Sequence, residues 1–411
     1  MSGRRTAGWR RPNLSANAGA KQSLARLRGR SREVVRNTWW GPRVVTTFRS
    51  HAVGAGIVPR CTTGNKKMNK KVAALWRKWG RLSCDREGQL DINGLMGLAC
   101  GSIIEAGEVL VRFVPTGGQS GRVPLEIQLL EPDHLDETRD RGFGGTIVDQ
   151  GIEYDAVGKR IGYYLLPEHP GATGINGRRQ SVRVAADDVL HVYRKDRIGQ
   201  GRGVPWVAPI LLKGRDVADL EEAVVMKSRV EACLGLVINS NDPQRSLASA
   251  ATETKADGTT RRLETLSPAM IAYLNPGEEA SVVNPSSSLA FESVLINSWM
   301  TLAAGAGITY DQLTGDLRQA NYSSLRAGKI EFRRLVEQFQ WLTLVPMFLD
   351  PLWDRFITAA IDAGLLPERR DGYPVDWIMP SNEPIDPLKD LQADILAVRS
   401  GRMTWNEFVA G

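Results

Sequence analysis

The sequence lacks any apolar run long enough to span a bilayer. Apolar uncharged stretches such as Ile92–Ile104 fall short of the ~18 residues a spanning helix needs. Cysteine and histidine are scarce, with four of each among 411 residues. Cys61, Cys84, Cys100 and Cys233 are scattered without a C-x-x-C pair, which argues against a zinc ribbon or a disulfide framework. His51, His134, His169 and His191 show no metal-ligand spacing. Met1–Arg11 is rich in Arg and no apolar segment follows it, so no secretory signal is expected. Catalytic signatures are missing too. Gly328-Lys329 is followed by Ile330, so there is no P-loop, and neither Gly199–Gly203 nor Gly305–Gly307 fits the dinucleotide fingerprint. No G-x-S-x-G or H-E-x-x-H occurs. Asp187 and Asp188 are neighbours whose side chains diverge, a poor metal pair. His191 sits in an apolar run and reads as a hydrogen-bonded core histidine. An enzyme is therefore the weaker class, and neither a cofactor nor a metal is expected.

What is present is a folded chain of several modules. Hydrophobic residues make up 42% and charged residues 24%, within the range of globular domains. The net charge of +7 hides an asymmetry. Residues 1–84 hold 20 Lys/Arg and one acid, Glu33, leaving 33 Lys/Arg against 45 acids in the remainder. Residues 1–36 read as a basic, flexible N-terminal arm with a weak helix over Ala20–Arg36. Arg26, Arg28, Arg30, Arg32 and Arg36 are its candidate contacts with nucleic acid or an acidic protein. The alternative is a solvated arm that binds nothing specific.

Residues 37–200 read as mixed α/β. Val72, Leu75, Trp76 and Trp79 form a helical stripe within Lys71–Arg81, and Ile92–Glu105 reads as a buried helix. Trp39, Trp40, Trp76 and Trp79 are either interface anchors or core. Glu108–Val114 and Val123–Leu130 flank a Gly-rich turn as a hairpin, as do Gly151–Tyr154 and Ile161–Leu166 around a shorter one. Val189–Tyr193 reads as a short strand. Pro209 opens an amphipathic helix over Ile210–Leu234. Residues 241–285 are polar and irregular, and Ser288 caps a second helix over Leu289–Ala304. Gly305–Asn321 is a long polar loop. Ser323 then caps a helix that runs to about Ala363, with Gly364 beyond its end and with Pro346 and Pro351 inside it to kink or split it. Pro387–Arg399 is helical. Thr404–Glu407 is a capping box close to the last residue, so the natural gene product is expected to continue.

Four segments, in order, resemble the lambda-type portal proteins of tailed bacteriophages. They are Glu131-Pro-Asp-His-Leu135; Arg197-Ile-Gly-Gln-Gly-Arg-Gly-Val-Pro-Trp-Val-Ala-Pro209; Gly307–Asp316 with Asn321–Arg326; and Ile385-Asp-Pro-Leu-Lys389. The resemblance implies a predominantly helical α+β portal fold assembled as a ring of about twelve subunits. The wing would be residues 37–200, the first stem helix 201–234, the clip 235–287 and the second stem helix 288–304. A tunnel loop over 305–321 would follow, then a long kinked helix returning to the wing over 322–379 and a shortened crown over 380–411. It also implies a channel for double-stranded DNA, docking of the terminase large subunit and later of a head-completion or adaptor protein, and contact with major capsid protein and scaffold. No membrane is implied. The location would be the portal vertex of the virion, and the host cytoplasm during assembly. Asp311, Gln312, Thr314, Asp316, Arg318, Gln319 and Asn321 are the expected channel residues. One cation in that loop leaves little counterion-release affinity to hold a moving duplex. Alternatives are another head–tail connector ring, the portal of a prophage remnant or gene transfer particle, or a nucleic-acid enzyme with unrecognised chemistry.

Overall fold

The computed structural model describes residues 13–117, 121–140, 142, 145–172, 180–232, 236–240, 252–254, 260–262, 278–282, 290–318, 322–381, 387–405 and 408. Its first elements are α1 (Ala16–Asn37), α2 (Trp40–Ala52), β1 (Val58–Cys61), α3 (Lys66–Leu82) and α4 (Ile92–Ala106). A strand-rich stretch follows: β2 (Glu108–Pro115), β3 (Leu125–Leu130), β4 (Ile147–Asp149), β5 (Ile152–Tyr154), β6 (Arg160–Leu165), β7 (Val182–Ala185) and β8 (Val189–Tyr193). Next come α5 (Leu211–Ala232), β9 (Leu236–Ser240), β10 (Thr252–Thr254), β11 (Thr260–Arg262), β12 (Glu278–Val282), α6 (Ala290–Ala306) and α7 (Tyr310–Thr314). Last are α8 (Tyr322–Phe339), a π-helical stretch (Gln340–Leu349), α9 (Asp350–Asp362), β13 (Val375–Ile378) and α10 (Pro387–Arg399). This is a predominantly helical α+β fold. It divides into two units, residues 1–211 with 303–411, and residues 212–302.

In the larger unit, β3-β2-β8 and β4-β5-β6-β7 form two antiparallel sheets, with both expected hairpins in place. Leu110, Leu135, Ile152, Tyr163, Leu165 and Val189 pack into one core fed by both sheets. The near-continuous apolar run of β2 follows from its central place between β3 and β8. Helix α4 is apolar on most sides and buried accordingly, and Asp91 caps it by accepting the Gly94 N–H at 2.8 Å.

Helix α3 starts at Lys66, five residues before the expected Lys71, because Asn65 caps it by accepting the Lys67 and Met68 N–H groups. Its Trp76 and Trp79 are core residues. Trp76 lies 5.1 Å from Trp79, 5.5 Å from Trp353 and 5.0 Å from Phe356 between ring centres. The Trp79 indole also donates to the Leu125 carbonyl at 2.8 Å. Trp40 is buried as well, which leaves Trp39 as the one exposed member of the four candidate anchors.

The long helix runs from Tyr322 to Asp362 as segments of 18, 10 and 13 residues. Pro346 neither breaks it nor splits it. With no N–H at that position the backbone widens instead, and Asp350 donates to the carbonyl of Val345, five residues back. Pro351 sits in the first turn of α9, where its missing N–H has little effect. In the smaller unit the Trp299 indole of α6 donates to Glu221 of α5 at 2.8 Å, and Lys227 lies over the Phe291 ring. β9 pairs with β12 and β10 with β11, both antiparallel. The remainder of residues 235–287 lies outside the described residues.

Candidate nucleic-acid interface

The expected loop over 305–321 is folded through its described part. Gly307 adopts φ +77° and ends α6, so the Gly307 and Ile308 N–H groups reach back to the Ala304 and Ala303 carbonyls. Thr309 and Gln312 then form a reciprocal capping box. The Gln312 amide oxygen accepts the Thr309 N–H at 3.0 Å, and the Thr309 hydroxyl accepts the Gln312 N–H at 3.4 Å. The result is the short helix α7, with Leu313 buried. Arg43 of α2 donates to the Gln312 carbonyl at 2.7 Å and ties the segment to the body.

The one cation of this segment is paired within it. Asp316 accepts two bonds from the Arg318 guanidinium, at 3.0 and 2.9 Å, and one from the Tyr310 hydroxyl at 3.2 Å. The Arg318 hydrogen bonds hold the Asp316 carboxyl well below the usual carboxylate range. The Thr314 hydroxyl donates to Tyr310 O and accepts the Asp316 N–H, so it is spent on local backbone. Asp311 is half-buried on α7. Gln319 and Asn321 lie outside the described residues. A cleft of about 290 Å³ opens beside Gln312, with His51, Lys329, Phe332 and Arg333 on its walls.

The expected helix over Ala20–Arg36 is present as α1, but it is packed by an inward face and is not a free arm; residues 1–12 lie outside the described residues. Ser15 caps this helix, and Leu24, Arg28, Ser31 and Val34 face inward from it. Arg28 is 2% exposed and reaches Glu137 at 2.7 Å and Asp133 at 3.5 Å. Arg32 bonds Asp133 at 2.5 Å and Glu131 at 2.7 Å. These two arginines are fasteners rather than free contacts. Arg26, Arg30 and Arg36 remain on the solvent face. Of the acids that hold α1, Glu131 and Asp133 belong to the Glu131–Leu135 motif and Glu137 follows two residues after it, so the motif forms part of a clamp. Glu131, Asp133 and His169 could frame a cation, but Arg32 already bridges both carboxylates.

The Arg197–Pro209 motif is built around Glu108, the first residue of β2. Arg202 reaches this carboxylate at 2.6 and 2.9 Å, His191 Nε2 donates at 2.8 Å, and the Gly203 N–H donates at 2.6 Å. Burial alone would raise the Glu108 carboxyl, but Arg202 and then His191 outweigh it and hold it well below its ordinary value. His191 is pushed down to about 4 by burial. Its Nδ1 faces Arg160 at 3.3 Å, which fits a neutral ring protonated on Nε2. A Cβ on Gly203 would meet the Gly107 carbonyl at 2.1 Å, so only glycine allows this approach. The Gln200 side chain accepts the Asp196 and Arg197 N–H groups and donates to the Arg202 carbonyl. The segment is thus rigid up to the start of α5.

Sequence reasoning missed three parts of this picture: Glu108 as a hub, Arg43 as the tie to Gln312, and a cationic face on α3. The last had a legible signal, since residues 66–81 hold seven Lys/Arg and no acid.

The chain has recognisable relatives in sequence and in fold. Residues 2–340 match the phage portal proteins of the lambda family. The chain is 24% identical over 387 residues to the probable portal protein of Halomonas phage phiHAP-1, covering 89% of this chain and 73% of that protein. It is 20% identical over 451 residues to portal protein B of Escherichia phage lambda, covering 97% and 83%. In fold it resembles a chain from the virion of a native gene transfer agent particle, with a TM-score of 0.50 at 15% identity over 98% of this chain and 94% of that one. With a family match that spans most of its sequence, the chain belongs to the lambda family of phage portal proteins.

Proposed function

We propose that this portal protein is the subunit of a closed ring of about twelve copies at one capsid vertex, through whose channel double-stranded DNA is packaged and ejected. In this reading α5 and α6 are the stem, residues 235–287 the clip, 37–200 with the long helix the wing, 305–321 the channel lining and 380–411 the crown. The terminase large subunit docks on the clip, and a head-completion or adaptor protein replaces it. Major capsid protein and scaffold meet the outside of the ring. The role is structural, with ATP hydrolysis left to the motor. The chain spends assembly in the host cytoplasm and then remains in the virion.

The observation that carries the ring is the apolar surface of the α5–α6 pair. Leu212, Val225, Met226, Val294 and Met300 are all exposed there. Monomeric proteins rarely leave such a surface uncovered, and neighbouring copies in a ring would bury it. The internal Asp316–Arg318 pair supports the channel role, since a lining with no surplus cation does not retain a sliding polyanion. Electron microscopy of the purified protein tests the reading. Class averages should show closed rings with a central hole wide enough to pass a B-form DNA duplex. A uniform monomer at micromolar concentration would sink it.

A further inference from the structure

Unlike Arg28 and Arg32 of α1, the cations of α3 all face outward. Lys66, Lys67, Lys70 and Lys71 in its first half and Arg77, Lys78 and Arg81 in its second give seven cations, and the helix holds no acid. At the α-helical repeat they fall within an arc of about 140°. Val72, Trp76 and Trp79 lie on the opposite side and are buried. All seven cations are exposed. None makes an ion pair with a described residue, and the Lys78 ammonium donates to the Gly121 carbonyl at 3.1 Å. Lys66 with Lys70, Lys67 with Lys71, and Arg77 with Arg81 are i,i+4 pairs of like charge, which repel along the helix.

Among the described side chains this face carries no exposed large apolar one. Protein–protein interfaces centre on aromatic and apolar anchors and are depleted in Lys. A cationic ridge of ~25 Å without anchors offers only charge, repeated along a line. That is the chemistry that contacts a nucleic-acid backbone without reading sequence. The Trp76 and Trp79 packing fixes the helix, so the cations are held in place before any ligand arrives.

We propose that the α3 ridge binds the phosphate backbone of double-stranded DNA, as a second DNA-contact surface besides residues 305–321. The proposal rests on the portal reading, which makes duplex DNA the available polyanion.

The test is fluorescence anisotropy of a short labelled duplex with the assembled protein, from about 50 to 200 mM salt. The variant carries Gln at Lys66, Lys67, Lys70 and Lys71. Each lost phosphate contact removes about 0.9 from the slope of log affinity against log salt, so the fall in affinity over that range should shrink by ~100-fold. If the fourfold variant does not fold, Arg77→Gln with Arg81→Gln should still shrink it by ~10-fold. An unchanged slope overturns the proposal, as does a loss seen instead on replacing Arg26, Arg30 and Arg36. Tighter capture of a polyglutamate peptide than of the duplex at equal salt also overturns it and makes an acidic protein the partner. Micrographs of the same samples separate the two levels. Intact rings with an unchanged slope refute the ridge alone, whereas absence of rings in the unmodified protein counts against the portal reading.

Discussion

Glu108 shows how one residue can organise a motif that looks, in sequence, like a glycine-rich linker. It is buried at the start of β2 and takes donors from Arg202, His191 and the Gly203 backbone. Breaking such a pair by removing one partner typically costs about 3–5 kcal/mol, because the other charge stays buried. The hub also fixes a pH dependence. In the unfolded chain His191 titrates near its ordinary value of 6.5, while burial in the fold lowers it to about 4. Between those values the unfolded chain binds a proton that the folded chain refuses. Stability should therefore fall as pH drops from 6.5 toward 4, by at most ~1.4 kcal/mol per pH unit for this one proton. Glu108 acts in the same direction lower down. Its depressed carboxyl stabilises the fold above its ordinary value of 4.5, and that contribution is lost as pH falls below it. Melting curves between pH 7 and 5 should show the decline, and His191→Gln should flatten it while keeping a donor toward Glu108. An undiminished decline in that variant would assign the effect to other groups.

At the scale of elements, local rules succeeded where capping and periodicity act within a few residues. The stripe of Val72, Trp76 and Trp79 placed α3, and Gly364 marks the end of the long helix, with φ +70° just past Asp362. At Pro346 a missing N–H can be met by a kink, a split or a wider turn, and only packing chooses among them; here the backbone widens into a π-helical stretch without separating the helix. The same limit applies to residues 305–318. Their polarity reads as loop, yet the Thr309–Gln312 capping box and buried Leu313 close a helical turn. Thr309→Ala removes the acceptor for the Gln312 N–H and should weaken the turn by about 1 kcal/mol. Hydrogen exchange at Gln312 should then speed up about fivefold while the global melting temperature hardly moves, because α7 is a small surface element. A cooperative loss of global stability would instead make α7 part of the core.

At the scale of the whole molecule, the exposed apolar residues of α5 and α6 link stability to assembly. A partner that binds only the folded state stabilises it by mass action. The melting temperature should therefore rise with protein concentration, and tenfold dilution across the ring-dissociation range should lower it. A melting temperature independent of concentration, with a monomer in sedimentation, would show that the smaller unit is stable without neighbours.

The sequence by itself determined the longer helices and the two main hairpins in their order, the concentration of positive charge before residue 85, the lack of recognisable catalytic motifs and the family motifs. Each of these follows from residue type and spacing, which act over three or four residues or over whole-segment composition. Only the tertiary structure decided what each charge does. Arg26 and Arg28 are the same residue two positions apart, yet one faces solvent and the other is buried. The difference is made by acids more than a hundred residues away, 105 and 109 along the chain, that the fold brings beneath α1. On α3 the buried tryptophans turn the lysines and arginines outward, where they form no ion pair with a described residue. A long-range ion pair leaves no local pattern, because its energy depends on a distance that the fold alone sets.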